Sequence, residues 1–180
     1  MNDSLAAQID LRVARALGRV RRAFRGVLTR VGAGAGVQLA QVDGLPGEQL
    51  QDAELFQQYG FTSAPPAGTM VVVLPVGGQT AHGIVIACEH GGYRLAGLQP
   101  GEVAVYNQWG DSVVLKAGGI AEVTAATKVR LATPRLEVTG DIVDRCDIQS
   151  RTVGELREVY NIHTHPGDSG GTTGQPHQTL

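Results

Sequence analysis

The chain has 180 residues, 42% of them apolar and 18% charged, with a formal net charge of −2. That length fits one domain or two small ones; the charge is too slight for a nucleic-acid surface or an acidic tail, and no apolar run reaches the ~18–20 residues of a membrane-spanning helix. Charges interrupt the first twenty residues too often for a secretory signal peptide, and only two cysteines, Cys88 and Cys146, occur, which excludes a disulfide scaffold and fits a reducing compartment.

Residues 1–26 predict a helix. Leu5, Ile9, Val13, Leu17, Val20 and Phe24 recur at spacings of four and three, which places them on one helical face. Arg12, Arg15, Arg19, Arg22 and Arg25 occupy much of the remainder, Asn2, Asp3 and Ser4 are candidate N-caps, and Gly26 is a candidate terminator. A basic amphipathic helix can lie on a membrane or on nucleic acid. Ala and Gly dilute this apolar face, so packing on its own domain or on a sister chain is the simpler expectation.

Residues 27–106 predict a small β-barrel or compact all-β domain. Short runs rich in β-branched residues, VLTRV, VQLAQV, TMVVVLPV and HGIVIACE, are punctuated by Gly and Pro. Pro65-Pro66 forbids helix in the loop 57–68 and leads extended chain into a strand at Met70–Val76. That strand is apolar at nearly every position, which predicts burial on both faces. Gly77-Gly78 predicts a tight hairpin into the next strand. His82 and His90 flank that strand without a carboxylate or serine constellation, and both read as structural or solvent-facing.

Beyond residue 103 the texture changes. Glycine is abundant in the chain at 25 residues and aromatics scarce at 4%, and almost no aromatic follows Trp109. Val113 and Leu115, Val129 and Leu131, Leu136 and Val138, with Ile142 and Ile148, form short i, i+2 alternations. Gly118-Gly119, Thr133-Pro134 and Gly140-Asp141 separate them as turn signals. Segments so short would leave a lone ribbon with a wet apolar face and open edges. Several copies winding together would fill a shared narrow axis instead; a monomeric β-sandwich over 104–160 would need larger side chains than the segment offers. Asp141 and Asp144 read as solvated rather than as a catalytic acid pair.

Residues 151–162 return to an apolar pattern and lead into His163-Thr164-His165. In extended chain, residues i and i+2 share a face, so both imidazoles aim one way. Two nitrogens make no firm site, but three copies about an axis would supply six. Imidazole suits Fe, Ni, Cu and Zn; six-coordination disfavours structural zinc and favours iron. The tail 166–180 is nearly free of apolar residues and rich in Gly and Pro, which reads as a cap over the apex or as a flexible tail; His177 within it reads as bland.

The order of these parts resembles the Mu-like phage baseplate assembly protein V family, the central tail spike of contractile-tailed bacteriophages. The resemblance rests on the Arg-rich N-terminal helix, the loop Gln58-Tyr59-Gly60-Phe61-Thr62-Ser63 with Pro65-Pro66-Ala67-Gly68, and His82-Gly83-Ile84-Val85-Ile86-Ala87. It continues through Gly101-Glu102-Val103-Ala104-Val105-Tyr106, Trp109-Gly110-Asp111, Val138-Thr139-Gly140-Asp141-Ile142 and Tyr160-Asn161-Ile162-His163-Thr164-His165. It implies an all-β chain with a short N-terminal helix (1–26), an OB-fold-like barrel (27–106), an intertwined trimeric triple-stranded β-helix needle (107–165) and a tail (166–180). It further implies a homotrimer whose His163 and His165 share one iron ion among three chains, with calcium or chloride elsewhere in the needle on residues that it does not specify. The implied partners are the baseplate hub, the tail tube proteins and the host outer membrane, not nucleic acid. The implied location is the virion's tail baseplate, assembled in the host cytoplasm, with a puncturing rather than an enzymatic role. The tail after His165 departs from the family pattern.

Two other classes compete. An oligomeric OB-fold module would bind nucleic acid or glycan on aromatic platforms and basic grooves, whereas here the arginines concentrate in the N-terminal helix. A metalloenzyme would add a carboxylate, Asp168 being nearest, to His163 and His165 and keep a position open.

Overall fold

The computed structural model describes residues 2–18, 20–32, 34 and 36–180, with side chains from residue 5 onward. It divides into two units, Met1–Lys128 and Val129–Leu180. The protein is mostly β, with a short N-terminal helix and a closed five-stranded barrel.

Helix α1 spans Asn2–Leu17 and ends sooner than the apolar spacing predicts. Gly18 closes it, its N–H donating to the Ala14 carbonyl at 2.9 Å. Val20 lies against Gly78, close enough that a Cβ there would fall 2.7 Å from Val20 Cγ1, and Phe24 opens strand β1. Tertiary packing thus takes the last third of the expected face away from the helix. Arg21 fastens the connection: its guanidinium lies 2.8 Å from the Glu48 carboxylate and 4.2 Å from the centre of the Phe24 ring. Leu5, Ile9, Val13 and Leu17 stay at least half exposed. The capping expectation for Asn2, Asp3 and Ser4, and the position of Arg19, fall outside the described residues.

The barrel uses β1 (Phe24–Gly32), β2 (Gln38–Asp43), β3 (Gln49–Leu55), β4 (Met70–Pro75) and β5 (Gly83–Glu89). Its order, β1-β2-β3-β5-β4 closing back on β1, is antiparallel except for the parallel β3–β5 pair, which is the OB-fold arrangement. Leu28, Ala40, Val42, Leu50, Ala53, Leu55, Val71, Val73 and Val85 fill it. Small and β-branched side chains suit so narrow an interior. Gly26, expected to stop a helix, instead lets β1 approach β2; a Cβ there would meet Val42 Cγ1 at 2.4 Å. Strand β3 is absent from the strand runs read in the sequence. Asp52 adopts φ 53° and the β2–β3 register shifts beside it, so Leu50, Ala53 and Leu55 face inward at a broken spacing.

Strand β4 corrects another expectation. Val71 and Val73 are buried, but Met70 and Leu74 are 49% and 43% exposed, so only one face is inside. The β4–β5 hairpin does form, with Pro75 opposite Gly83, but through two 3₁₀ turns over Val76–Gly78 and Thr80–His82 rather than a tight turn.

A second, three-stranded antiparallel sheet follows: β6 (Val103–Tyr106), β7 (Ser112–Lys116) and β8 (Ile120–Thr124). Carboxylates pin both its ends. Glu102 accepts the Gln99 and Ala117 amides at 2.9 and 3.1 Å, and Asp111 accepts the Asn107 side-chain amide and the Ala126 amide. From Ala125 to Arg151 the chain carries no regular element, and Val143 and Thr152 make an isolated bridge. Residues 153–162, expected as part of an extended ribbon, form helix α2 (Val153–Ile162). The tail turns back rather than trailing: Pro166 bridges Thr172, and the Leu180 amide donates to Asn161 Oδ1 at 3.0 Å.

Candidate functional site

The expected metal ligands sit where α2 ends. The helix starts in a capping box, Glu155 N–H donating to Thr152 Oγ1 at 3.0 Å and Thr152 N–H to the Glu155 carboxylate at 2.8 Å. It ends at His163, whose backbone is extended (φ −67°, ψ 149°). The last turn of a helix leaves carbonyls free, and His163 Nδ1 sits 2.6 Å from the Tyr160 carbonyl. A carbonyl only accepts, so Nδ1 carries a proton at this contact, and in the neutral ring Nε2 is the nitrogen left with a lone pair.

His165 is held through its backbone. Its N–H donates to Thr173 Oγ1 and its carbonyl accepts the Thr173 amide, both at 2.8 Å. The two imidazoles stand 4.9 Å apart at 90°, His163 half-buried and His165 exposed. The structure therefore brings together the two residues read from the sequence. Among the described residues no third His, Cys, Asp or Glu joins a group able to hold a metal. Asp168 lies exposed in the turn of the returning tail, where Gly167 bonds Gly171, so the two-histidine, one-carboxylate reading finds no third ligand within one chain. His177 is exposed, and Asp144 bonds the Gln149 side chain rather than Asp141. What the sequence reading missed here is the helix, and Thr152-x-x-Glu155 was its signal.

The second notable surface is one face of the β6–β8 sheet. Cross-strand register places Val103 beside Leu115 and Ala121, and Val105 beside Val113 and Val123. All of these point to one side, because residues two apart share a face. All are exposed, the four valines and Leu115 from 43% at Val113 to 58% at Val103. On the opposite face Val114 is buried and Lys116 pairs with Glu122 at 2.7 Å. Beyond β5, Val114 is the only buried residue in the chain.

The barrel was also a candidate ligand surface. The recess beside the β1–β2 loop, about 270 Å³, is lined by Arg30, Val37, Leu39, Gln41, Gln51 and Asp52 among others, with no aromatic ring among the described residues. His82 lies exposed at the end of a 3₁₀ turn; His90 stacks on Tyr93 at 4.3 Å, with Nδ1 buried and unpaired.

Comparison with known proteins converges on one family. A model described as bacteriophage Mu Gp45, N-terminal, matches residues 25–92, nearly the span of the barrel strands. Over 171 residues the chain is 31% identical to the baseplate puncturing device gp45 of Escherichia phage Mu, covering 83% of this chain and 86% of that protein. It is 29% identical over 131 residues to the Mu-like prophage FluMu protein gp45 of Haemophilus influenzae, covering 72% and 70% respectively. The matched barrel and this identity along most of both chains agree: the protein belongs to the bacteriophage Mu Gp45 family.

Proposed function

We propose that this chain is the central spike of a contractile phage tail baseplate, acting as a homotrimer that punctures the host outer membrane when the sheath contracts. One observation carries the reading: nearly everything beyond the barrel lacks an interior of its own, and the β6–β8 sheet turns a wholly apolar face to solvent. Water around such a face is costly, and the remedy available to three copies is to turn those faces to a common axis. Residues 107–152 would then wind into the triple-stranded needle ahead of α2, each chain satisfying its neighbours' open edges. A spike that transmits force needs this: separating the copies would expose the whole axis at once.

His163 and His165 of three copies would hold one iron ion. The donor set fits, because two imidazoles per chain are too few alone, and His163 is already oriented by the Tyr160 carbonyl. The ion would supply a clamp on three chain segments otherwise free to fray. No residue is assigned to calcium or chloride. The baseplate hub and tail tube would be the neighbours at the barrel end. The alternative of a nucleic-acid or glycan module has less support, because the recess beside the β1–β2 loop offers no ring for stacking and the one walled by Tyr93, Tyr106 and Trp109 has no lysine or arginine in its lining.

Sedimentation with elemental analysis tests the reading. An elongated particle of three chains containing one iron is expected, and a compact monomer would overturn it. Replacing His163 and His165 with alanine should remove the metal and leave the trimer largely assembled, because the sheet faces carry more burial than the clamp.

A further inference from the structure

The segment after His165 closes a hairpin that begins on one of the two expected ligands. Gly167 N–H donates to the Gly171 carbonyl at 2.7 Å and Thr173 N–H to the His165 carbonyl at 2.8 Å, on either side of the Pro166–Thr172 bridge. Pro166 has no N–H, and at that pair the ladder asks for none. Residues 168–170 form the loop, and Gly170, at φ 79°, takes the left-handed last place that such three-residue loops use. Thr173 grips both sides of His165: its Oγ1 accepts the His165 amide and its own amide donates to the His165 carbonyl, each at 2.8 Å. A second tie runs from the same tail, the Leu180 amide donating at 3.0 Å to Asn161 Oδ1 in the last turn of α2.

The two imidazoles are thus carried by different elements. His163 is set by the end of α2 through the Tyr160 carbonyl and His165 by the hairpin, with Thr164 alone between them. Free arms would have to lose backbone freedom in converging on one ion; at His165 the hairpin has already removed it. Yet the hairpin has little burial to hold it. Residues 168–173 are exposed, and a two-stranded hairpin without a covered face is marginal in water. Fixing the His165 side chain would therefore also keep the hairpin closed, because coupling between two events is reciprocal.

We infer that Thr173 is a positioning residue of the metal site, and that closure of the 165–173 hairpin and retention of the ion are one coupled event. The inference rests on the reading of His163 and His165 as ligands of a shared iron, and adds the element that keeps the iron in place.

The test compares the full wild-type chain with two variants. Thr173→Val keeps the branched shape and loses the hydroxyl, whereas Thr173→Ser keeps the hydroxyl. Iron retention is measured by competition with EDTA. Thr173→Val should weaken it by about 10- to 100-fold, the usual range for a group that orients a ligand, and Thr173→Ser should hold iron nearly as the wild type does. Unchanged retention in Thr173→Val overturns the inference, as does a greater loss in Thr173→Ser, the order that a packing role would give. Amide exchange in the wild type needs no variant. The His165, Gly167 and Thr173 amides should exchange about tenfold more slowly with iron than after its removal, and exchange indifferent to iron overturns the coupling. Iron content separates the failures: a wild type without iron sinks the shared-ion reading and this inference with it, whereas bound iron with unchanged retention in Thr173→Val sinks this inference alone.

Discussion

At Gly26 the barrel depends on an absent side chain. A Cβ would lie 2.4 Å from Val42 Cγ1 and 2.8 Å from the Asp43 carbonyl oxygen, so β1 and β2 would have to part. Gly26→Ala should therefore destabilise the barrel by about 1–3 kcal/mol, the usual cost of overpacking, read as a lower thermal midpoint. Glu102 makes a different kind of demand. Hydrogen bonds from the Gln99 and Ala117 amides, and then the nearby Lys116 charge, hold its carboxyl below its ordinary value. A carboxyl depressed in the folded state stabilises above its ordinary value, and that contribution is lost as pH falls through the depressed one. The β6–β8 sheet should thus loosen in acid, below the ordinary carboxylate range. Glu102→Gln should lower the midpoint at neutral pH and flatten its decline in acid; an unchanged slope would show that another group carries the pH dependence. The histidines were legible at this scale, since His-x-His is visible in any register. Their orienting partners, the Tyr160 carbonyl and Thr173, were not, because both depend on where a helix stops and how the tail returns.

Elements were legible where local pattern and tertiary structure agree. Strands β1, β2, β4 and β5 announce themselves by β-branched runs, and the barrel follows. Strand β3 hides because Asp52, in a left-handed conformation that Asp tolerates better than most, breaks the alternation of Leu50, Ala53 and Leu55. The extent of α1 was overread because Val20 and Phe24 keep the helical spacing while packing elsewhere. Helix α2 was underread because short apolar runs do not separate strand from helix by themselves; the capping box did carry that distinction. Thr152→Ala removes the hydroxyl that accepts the Glu155 amide and should cost α2 about 1 kcal/mol. Faster amide exchange across residues 153–162, with the barrel unchanged, is the expected result. Uniform protection in the variant would mean that contacts other than the cap hold the helix and, with it, His163.

At the scale of the whole molecule, the two halves differ in how much they bury: the barrel holds nearly all the buried side chains among the described residues. The barrel buries its own side chains, so four of its five strands were legible from one sequence. The remainder shows i, i+2 pairs such as Val113 and Leu115 that stay exposed among the described residues, and their pattern does not say what they pack against. The β6–β8 face makes this testable. Val113 lies on the central strand between Val105 and Val123 and is 43% exposed. In an isolated chain, Val113→Glu is a surface change, expected to fall within about 0.5 kcal/mol. In a trimer with this face at the axis, the same change brings three carboxylates together out of water, where neither desolvation nor mutual repulsion is relieved. The variant should sediment as a single chain while its barrel melts as in the wild type. Lys116→Ala, on the opposite face, should leave the trimer intact. If Val113→Glu still forms a trimer with unchanged stability, this face does not line the axis, and the copies must meet through the segments after residue 124.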